Sequence, residues 1–367
     1  MTNKNFCPAS WVSLYVEPNG RVDSCCVGRN ELGNLNDTPL NEILVGSTNT
    51  KVQRAMLDNQ VVPGCSWCHN SEQNLQQTFV DAYPTIDDTL YQAGEFKLKY
   101  LDVRWNNTCN LACVYCGPTF SSLWAQEVSR VIKIERETKN SLLDYILENV
   151  EELDNIYLAG GEPLLMKENE LLVDALIERN PKCKLLVNTN LSNTNTRVYQ
   201  QLTKLENVRW LVSVEDIGQR YEYIRYPAQW NTFEQNLLAL KDLVGMDRVY
   251  LNMVYCSLNY LSFWDTIDWA VERGFKKEYM SIALYNNGVF DGPFDLQALS
   301  EQHRKLALDR MQKSDYSMIY GYQKTVDYLT KNVTINSTLI TTLTELDQRR
   351  NLNSRAIFPE VYQAIES

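Results

Sequence analysis

Residues 106–118 read NNTCNLACVYCGP and place Cys109, Cys113 and Cys116 in a C-x3-C-x2-C loop. Three thiolates in one loop can bind three irons of a 4Fe-4S cubane and leave the fourth iron without a protein ligand. An open iron of this kind can chelate the amino and carboxylate groups of a methionine derivative, so that the cofactor supplies radical chemistry and the protein supplies geometry. The loop therefore predicts a catalytic iron-sulfur site rather than a simple electron carrier.

Zinc binding, or a chance grouping of core cysteines, is the alternative interpretation of this loop. Structural zinc takes four ligands, and the two histidines of the chain, His69 and His303, both lie outside the loop. Three cysteines at this spacing, directly after a strand, also form one of the more specific short motifs. We therefore favour an iron-sulfur cluster over zinc.

Outward from the loop, over residues 96–288, short β-branched runs alternate with longer amphipathic stretches. This pattern predicts an α/β fold of repeated βα units with parallel strands. Right-handed crossovers would curl six units into a partial (β/α)6 barrel, with the active site at the C-terminal ends of the strands. The predicted strands are Lys99–Arg104, Asn155–Ala159, Lys184–Asn188, Val208–Val214, Val249–Tyr255 and Glu278–Leu284. The predicted helices include Ser121–Lys133, Glu168–Arg179, Thr196–Leu205, Thr232–Val244 and Phe263–Arg273.

A glycine-rich segment, Gly160-Gly161-Glu162-Pro163, follows the second of these strands. Paired glycines allow close approach of the backbone to a ligand, and a carboxylate suits an ammonium partner. The alternative is a plain Gly-Pro turn that ends the strand. Because it stands one strand after the cysteine loop, the segment favours a pocket for an amino-acid group.

The cysteine loop, with aromatic Tyr115 just before its third cysteine, and the GGEP segment together resemble the signature of the radical-SAM superfamily. The resemblance covers residues 99 to about 285. It implies a TIM-like partial barrel that binds a 4Fe-4S cluster and S-adenosylmethionine (SAM). It further implies that Tyr115 packs near the adenine, and that Glu162 and the backbone of Gly160 and Gly161 contact the SAM amino group.

The end of the third strand continues the resemblance. Residues 187–190, Val-Asn-Thr-Asn, are similar to the polar run of the family that meets the ribose or the methionyl carboxylate. We place this contact at Thr189, with Asn188 and Asn190 as the alternatives. Leu191 stands where the family often has glycine, so the turn that follows departs from the family pattern.

The fourth and fifth strands also end in polar residues that match the family. Residues 212–216, Val-Ser-Val-Glu-Asp, resemble a VSxD segment with Ser213 in the SAM-contacting place and Glu215 where Asp is usual. Asn252 matches a polar SAM contact of related barrels. For each such side chain the alternative is a helix cap or a satisfied hydrogen bond at a strand end. Residues 220–225 and Asn236 resemble a helix typical of peptide-modifying members.

A second cysteine group lies in residues 1–75 and comprises Cys7, Cys25, Cys65 and Cys68. The run WVSLYVEP, an Asn-Gly turn and a second strand predict a β-hairpin that brings Cys7 and Cys25 together, while the CSWC loop presents the other pair. Four thiolates complete a metal site. By spacing alone a zinc ribbon and an iron-sulfur cluster are equally compatible with this group.

The same segment resembles a twitch domain, the half-size relative of the SPASM auxiliary-cluster domain. The residues that carry the resemblance are CPxxW, the hairpin, the Cys25-Cys26 pair, GNLND and C-x2-C. The resemblance favours a second, auxiliary 4Fe-4S cluster over zinc, although such domains usually follow the barrel and this one precedes it. Cys25 fits the family spacing better than Cys26, which a β-bulge would exchange for it.

Composition limits the class of protein. The chain has 367 residues, 44% of them hydrophobic, and a formal net charge of -11. This charge argues against an extended nucleic-acid surface, because such surfaces need clustered Lys and Arg. No stretch has the length and apolarity of a signal peptide or a membrane-spanning helix, so we expect a cytoplasmic protein without a membrane partner. In that compartment thiols stay reduced, and Cys183 and Cys256, which lie alone in apolar strand-like runs, are expected to be core residues.

The predicted function is reductive cleavage of SAM to a 5'-deoxyadenosyl radical that abstracts hydrogen from a substrate. Twitch and SPASM relatives commonly modify peptides or proteins, so we expect a peptidyl substrate and a flavodoxin- or ferredoxin-type electron donor. The alternatives are a two-cluster enzyme that acts on a small molecule or nucleotide, and a non-catalytic iron-sulfur or zinc protein. The sequence singles out no catalytic side chain, and residues 289–367 are expected to be a helical extension.

Overall fold

The computed structural model describes residues 3–69, 75–83, 91–285, 293–313, 315–331 and 338–366. The chain forms two compact units. The first unit comprises Met1–Cys109, Ser129–Asn188 and Asn195–Arg209, and the second unit comprises Asn110–Val128, Thr189–Thr194 and Trp210–Ser367.

The secondary structure alternates between strands and helices from residue 100 onward. The strands are β1 (Ser13–Val16), β2 (Arg21–Asp23), β3 (Gly33–Asn34), β4 (Tyr100–Val103), β5 (Asn155–Leu158), β6 (Lys184–Thr189), β7 (Val208–Ser213), β8 (Val249–Tyr255) and β9 (Met280–Leu284). The helices as far as the fourth barrel strand are α1 (Ala9–Val12), α2 (Leu40–Leu44), α3 (Ser47–Leu57), α4 (Ser66–His69), α5 (Leu75–Ala82), α6 (Ser122–Glu127), α7 (Arg136–Glu148), α8 (Lys167–Arg179) and α9 (Arg197–Leu202). The later helices are α10 (Gly218–Ile224), α11 (Trp230–Val244), α12 (Phe263–Glu272), α13 (Glu301–Gln312), α14 (Tyr322–Leu329), α15 (Leu339–Arg350), α16 (Ser354–Ile357) and α17 (Pro359–Glu366). Short 3-10 helices span Pro63–Cys65, Val150–Glu152, Pro163–Leu165, Met246–Arg248, Lys277–Tyr279 and Leu296–Ala298.

The N-terminal hairpin is present as predicted. Strands β1 and β2 pair antiparallel with Tyr15 opposite Asp23, and the Gly20 amide closes the turn on the Glu17 carbonyl at 2.9 Å. The predicted first strand is wrong at its start, because residues 9–12 form one turn of helix instead. Pro8 stands at the helix N-cap in the helical region of backbone space, where its ring restricts φ to the value a first turn needs.

One strand of this hairpin also belongs to the barrel sheet, a pairing that the sequence did not indicate. Strand β1 pairs parallel with β4, with Ser13 beside Tyr100 and Val16 beside Val103. In the first unit the strand order is β3-β2-β1-β4-β5-β6. The segment that carries Cys7 is therefore tied by backbone hydrogen bonds to the strand that leads toward the cysteine loop.

Side chains alternate across this sheet as the pleat requires. Leu101, Ile156 and Leu158 are fully buried on one face. On the other face Asp102 lies beside Tyr157, and the Asp102 carboxylate accepts from Arg104 at 3.3 Å. The first unit thus combines an apolar core with a polar sheet face at the carboxyl ends of its strands.

The predicted barrel strands all exist, each within two residues of its predicted bounds, and the α/β fold class is confirmed. The predicted helix Ser121–Lys133 is wrong in its second half, because α6 ends at Glu127 and Ser129 adopts the left-handed backbone region with φ 52°. The sequence analysis did not identify α7, which follows this break.

In the second unit β7, β8 and β9 are parallel neighbours, with Ser213 beside Asn252 and Asn252 beside Ser281. The described residues after 293 are mostly helical, as predicted for the C-terminal extension. In the described part of the chain no helix combines the length and apolarity needed to cross a membrane.

Candidate active site

The cysteine loop is held by backbone hydrogen bonds to the end of α10 in the second unit. The Ala112 amide donates to the Tyr226 carbonyl at 2.6 Å, and the Val114 amide donates to the Ile224 carbonyl at 2.8 Å. These two bonds flank Cys113, so the position of the middle cysteine is set by the residues that follow α10.

Cys113 and Cys116 form a tight turn, in which the Cys116 amide donates to the Cys113 carbonyl at 2.9 Å. Burial raises the pKa of the Cys113 thiol to about 12, and the nearby guanidinium of Arg225 opposes this shift. Burial also raises the pKa of Cys116. Because ligation requires thiolates, a metal group that binds here displaces protons from these thiols.

Arg225 lies at the centre of this part of the site. Its side chain pairs with the Glu215 carboxylate through Nε and through Nη2, the latter at 2.7 Å from Oε1. Nη2 also donates to the Tyr115 hydroxyl at 2.8 Å, and Nη1 lies 3.9 Å from the Cys113 sulfur. The side chains of Arg225 and Glu215 are 6% and 1% exposed, so this is a buried ion pair in contact with the loop. The predicted role of Tyr115 beside an adenine stays a prediction.

Cys109 is half-buried and is the last residue of the first unit. The residue before it, Thr108, accepts the Glu162 amide at 2.8 Å through its carbonyl oxygen. A methyl group added at Gly161 would lie 2.4 Å from the same oxygen. The chain entering the cysteine loop therefore packs directly on the GGEP segment.

The two glycines of that segment have left-handed backbone geometry, with φ 76° at Gly160 and 58° at Gly161. A Cβ at Gly160 would lie 2.6 Å from the side chain of Arg104. A side chain at either position would be strained and would clash, so close packing accounts for both glycines. Their contact with SAM stays a prediction.

Glu162 is 3% exposed. Its Oε1 atom accepts from the Leu164 amide at 3.1 Å and so caps the 3-10 helix Pro163–Leu165. A helix cap is the alternative to a SAM contact that the sequence allows for polar side chains at strand ends. A buried carboxylate at a helix start is also a suitable partner for a cationic group.

Thr189 and Leu191 form the turn after β6. The Thr189 hydroxyl accepts from the Leu191 amide at 2.9 Å, and Leu191 has φ 51° while being fully buried. The left-handed geometry that the family often gives to glycine is thus retained here by a leucine. Asn236 on α11 holds this turn, because its side-chain amide donates to the Leu191 carbonyl at 2.9 Å.

Ser213 and Asn252 lie side by side on β7 and β8, and Asn252 accepts from the Ser281 hydroxyl on β9 at 3.1 Å. These three residues form a polar row across the second unit. Ser281 was missed by the sequence analysis, although its polar side chain interrupts the apolar run EYMSIAL.

In the first unit, Cys7, Cys25, Cys65 and Cys68 line one cavity. Apolar side chains that include Met56, Trp67 and Phe79 complete its wall. Burial raises the pKa of Cys7 to about 12, with a smaller contribution to that value from the thiols of Cys65 and Cys68. The hairpin and the CSWC loop thus bring together the four cysteines that the sequence grouped.

Cys25 lines this cavity, whereas Cys26 is not among the residues around it. The pKa of Cys26 is raised to about 11, mainly by burial; the Asp102 carboxylate contributes to the rise and the Arg104 guanidinium opposes it. The Cys26 thiol therefore lies near the polar face of the sheet. Asn30 donates to the Cys65 sulfur at 3.6 Å. This arrangement is the one expected if Cys25 and not Cys26 contributes to the site.

The residues of both cysteine groups fit an iron-sulfur cluster. Thiolates are the protein ligands of such clusters, and four of them surround a mostly apolar cavity in the first unit. Among the residues that the structure describes, no three His, Cys, Asp or Glu side chains are arranged to hold a single metal ion.

The sequence analysis gave no role to Arg225, although it quoted the segment that contains it. The available signal was the acidic Glu215 ten residues before a basic residue, one at each side of α10. Only the fold brings the two charges together, because the intervening chain must turn back on the cysteine loop.

Comparison with known families agrees with this geometry. The family described as the Radical SAM superfamily matches residues 103–270, and the SPASM family, described as an iron-sulfur cluster-binding domain, matches residues 7–69. The first match contains the cysteine loop, the GGEP segment, β7 and β8. The second contains all four cavity cysteines.

Individual relatives are distant. A GTP 3',8-cyclase of Nautilia profundicola is 29% identical over 97 residues, which are 26% of this chain and 29% of the cyclase. Streptococcus suis SuiB bound to S-adenosylmethionine has a TM-score of 0.43 at 13% identity, over 81% of this chain and 57% of SuiB. Native anSMEcpe with bound AdoMet has a TM-score of 0.44 at 15% identity, over 60% of this chain and 62% of anSMEcpe. The chain thus matches less than two thirds of the length of each.

The fold and the two cysteine groups define an α/β iron-sulfur enzyme that uses S-adenosylmethionine. The chain matches the Radical SAM superfamily over residues 103–270 and the SPASM iron-sulfur cluster-binding domain over residues 7–69, at its N-terminal side. Its cofactors are therefore a 4Fe-4S cluster with SAM in the barrel and an auxiliary iron-sulfur cluster in the N-terminal domain.

Proposed function

We propose that this enzyme cleaves SAM reductively and abstracts hydrogen from a peptide or protein substrate, with the assistance of an auxiliary 4Fe-4S cluster. When bound and reduced, the barrel cluster and SAM supply a 5'-deoxyadenosyl radical. The observation that carries the proposal is the C-x3-C-x2-C loop, which lies inside the segment matched to the superfamily and is fixed on both sides of Cys113. Cys109, Cys113 and Cys116 would ligate three irons and leave one iron open for SAM.

The polar strand ends would hold SAM. The buried Glu162 carboxylate suits the amino group of SAM, because a hydrogen bond between a carboxylate and an ammonium group is stronger than one between neutral groups. The hydroxyls and amides of Thr189, Ser213 and Asn252 suit the ribose and the methionyl carboxylate. The glycines 160 and 161 would leave the backbone accessible, and Tyr115 would stand beside the adenine.

The auxiliary cluster would occupy the cavity of the first unit, ligated by Cys7, Cys25, Cys65 and Cys68. Four thiolates saturate a cluster, so this group would accept an electron from the substrate radical or relay electrons. The third possible role of the auxiliary cluster is to bind the substrate directly, which would require that one cysteine ligand dissociate from the cluster.

The peptidyl substrate class rests on the SPASM-type domain, which is common in peptide-modifying members of the superfamily. The alternative substrate is a small molecule or nucleotide, which the partial likeness to a GTP 3',8-cyclase favours. The electron donor would be a flavodoxin or ferredoxin.

The test of the activity uses protein reconstituted with iron and sulfide under anaerobic conditions. Two clusters per chain and formation of 5'-deoxyadenosine and methionine from SAM after reduction with dithionite are expected. Protein that binds two clusters but leaves SAM intact would show that the open-iron assignment is wrong. A colourless protein that binds zinc and no iron would overturn the cofactor assignment altogether.

The substrate class can be tested without knowing the substrate. A lysate of deuterated cells is separated by size, and each fraction is incubated with the reduced enzyme and unlabelled SAM. We expect deuterium in 5'-deoxyadenosine only with peptide-containing fractions, and loss of that transfer after digestion with a nonspecific protease. Transfer from a protease-resistant small-molecule fraction, or from deuterated GTP, would instead support the alternative.

A further inference from the structure

We propose that helix α15 of the C-terminal extension is part of the barrel cluster site. Its Arg350 is a positioning residue that holds the cysteine loop in place and raises the reduction potential of the cluster bound there. This inference rests on the proposed function, because it concerns the cluster that Cys113 would ligate. It gives the C-terminal extension a role that neither the sequence nor the family matches assign.

Arg350 is the last residue of α15, and its side chain is only 1% exposed. Nε and Nη2 each donate to the Glu127 carboxylate at 3.1 Å. The centre of the guanidinium lies 4.8 Å from the ring of Trp124 and 4.9 Å from the ring of Tyr226. An arginine held between two aromatic rings and a carboxylate has a fixed position.

The two residues that enclose Arg350 are also the residues that hold the loop. The Trp124 indole N–H donates to the Cys113 carbonyl at 2.7 Å, and the Tyr226 carbonyl accepts from the Ala112 amide at 2.6 Å. A displacement of Arg350 would therefore loosen Trp124 and Tyr226 together, and with them the two hydrogen bonds that hold Ala112 and Cys113. The extension is coupled to the loop through these two contacts.

One end of the Arg350 guanidinium has no hydrogen-bond partner in the described part of the chain. Its Nη1 atom is buried and makes no hydrogen bond among the described residues. Leaving a charged donor unsatisfied in a dry site is costly, so the position of this atom indicates an acceptor beyond the residues that the structure describes. The guanidinium lies against the ring of Trp124, whose indole N–H donates to the Cys113 carbonyl, so its positive charge is close to the cysteine loop.

A second contact anchors the same helix to α10. Asp347, one turn before Arg350, accepts from the Tyr223 hydroxyl at 2.9 Å. Tyr223 precedes Ile224, whose carbonyl accepts from the Val114 amide. Helix α15 thus supports the loop from both sides of Cys113, through Arg350 on one side and Asp347 on the other.

A buried cation beside the cluster favours its reduced state. The cluster takes one electron from the reduced donor, which is oxidised by one electron, and the cluster gains one negative charge. A fixed positive charge in a low-dielectric site stabilises that added charge. Removal of the charge should make reduction harder, while the auxiliary cluster in the other cysteine group serves as an internal reference.

Arg349 provides a matched control. It precedes Arg350 on the same helix and reaches the same Glu127 carboxylate at 3.4 Å, but its side chain is 36% exposed. Replacing Arg349 removes one positive charge from α15 without removing the buried clamp. Solvent screens the charge of an exposed side chain, so its effect on the cluster should be small.

The test uses the full chain with both clusters, reconstituted anaerobically, as Arg350→Gln, Arg350→Lys and Arg349→Gln. Redox titration followed by electron paramagnetic resonance measures each cluster separately. We expect Arg350→Gln to shift the equilibrium between oxidised and reduced barrel cluster about tenfold toward oxidised, which is 59 mV for a one-electron couple. The auxiliary cluster should not shift, and Arg349→Gln should match the parent.

Arg350→Lys separates charge from clamping. Lysine keeps the charge but not the planar fork, so the potential should stay near that of the parent while the barrel cluster is lost faster to an iron chelator. A barrel cluster with unchanged potential and unchanged chelator loss in Arg350→Gln would overturn the inference, as would equal shifts of both clusters. If Arg350→Gln does not fold, Trp124→Phe, which removes the indole donor alone, should still accelerate cluster loss. Failure of the parent protein to bind two clusters or cleave SAM would count against the proposed function instead.

Discussion

The two cysteine groups are both buried, but they differ in the charges around them. In the first unit burial raises the pKa of Cys7 to about 12, and the neighbouring thiols of Cys65 and Cys68 contribute to that rise. In the second unit burial raises the pKa of Cys113 to about 12 as well, but the guanidinium groups of Arg225 and Arg350 oppose the shift. Thiols crowded with thiols suit a cluster that is fully ligated. Cys113 also has the Cys116 thiol and the Glu215 carboxylate nearby, but it differs from Cys7 in having guanidinium groups close to it, and a nearby positive charge suits a cluster whose charge changes during the reaction.

The difference predicts that the loop controls SAM cleavage. Replacing Cys113 with Ala should reduce 5'-deoxyadenosine formation to the level of a protein-free control, because a cluster with two remaining loop ligands would not be retained. Iron content should fall to about half, since the four-cysteine cavity stays intact. Iron analysis and chromatography of the reaction products measure both effects.

The control for this loss is Cys256→Ala, which removes a fully buried thiol from the same unit but outside both cysteine groups. It should keep the iron content of the parent. Retention of both clusters in Cys113→Ala would contradict the assignment of the loop.

The cavity cysteines should separate SAM cleavage from product formation. Cys65→Ala should also halve the iron content, because Cys65 lines the cavity of the first unit. Formation of 5'-deoxyadenosine should persist, since Cys65 lies outside the cysteine loop, and Cys113, Cys116 and the two arginines near them belong to the second unit. Cys183→Ala, at a buried position of the first unit outside the cavity, is the matched control. Loss of SAM cleavage in Cys65→Ala would mean that the two groups do not act separately.

The ion pair behind the loop should contribute strongly to the stability of the second unit. Arg225→Gln leaves Glu215 buried without its cation, and breaking a buried pair in this way destabilises by about 3–5 kcal/mol. Arg310→Gln is the control, because Arg310 pairs with the more exposed Asp265 and Asp268 and should change stability by about 1 kcal/mol or less. Thermal unfolding of the reconstituted proteins measures the difference.

A double replacement sharpens this test. Glu215→Gln combined with Arg225→Gln removes both charges, so it should be more stable than Arg225→Gln alone. If the single and double variants unfold alike, the pair is not coupled and the distinction between the two cysteine groups loses its electrostatic basis.

Much of the fold was predictable, because strand patterning is local. The barrel strand Val249–Tyr255 was placed at its observed bounds, and the Asn-Gly turn of the hairpin was identified from two residues. The parallel pairing of β1 with β4 was not, because the partner of an edge strand depends on segments far apart in the chain. Ser129 illustrates another limit, since no local signal marks its left-handed backbone or the end of α6.

The candidate site shows the same division. The cysteines were found because ligands of one cluster recur at short spacing, and the four of the N-terminal group do surround one cavity. Arg225 and Arg350 were not found, because their importance depends on contacts with Cys113 and Trp124 that span more than a hundred residues of chain. Leu191 could not be understood either, since nothing in a leucine indicates a positive φ.

The smallest expected effect concerns Asp216, the carboxyl that follows Glu215 in the chain and is likewise fully buried. Burial raises the pKa of Asp216 to about 6, although a hydrogen bond from Ser262 opposes the shift. A carboxyl whose pKa is higher in the folded state than in the unfolded state binds its proton more tightly when folded. Its contribution to stability is therefore complete below about pH 4 and is lost as the pH rises through 6. From the size of the shift, the loss is on the order of 2–3 kcal/mol.

Asp216→Asn removes this titration, so its free energy of unfolding relative to the parent should increase between pH 4 and pH 7. The exposed Asp242, 78% accessible on α11, provides the control, and Asp242→Asn should follow the parent at every pH. The measurement is the unfolding midpoint of each protein across that range. Parallel curves for Asp216→Asn and the parent would show that folding does not raise the pKa of Asp216. In that case Arg225 and Arg350, rather than burial of the whole region, would account for the difference between the two cysteine groups.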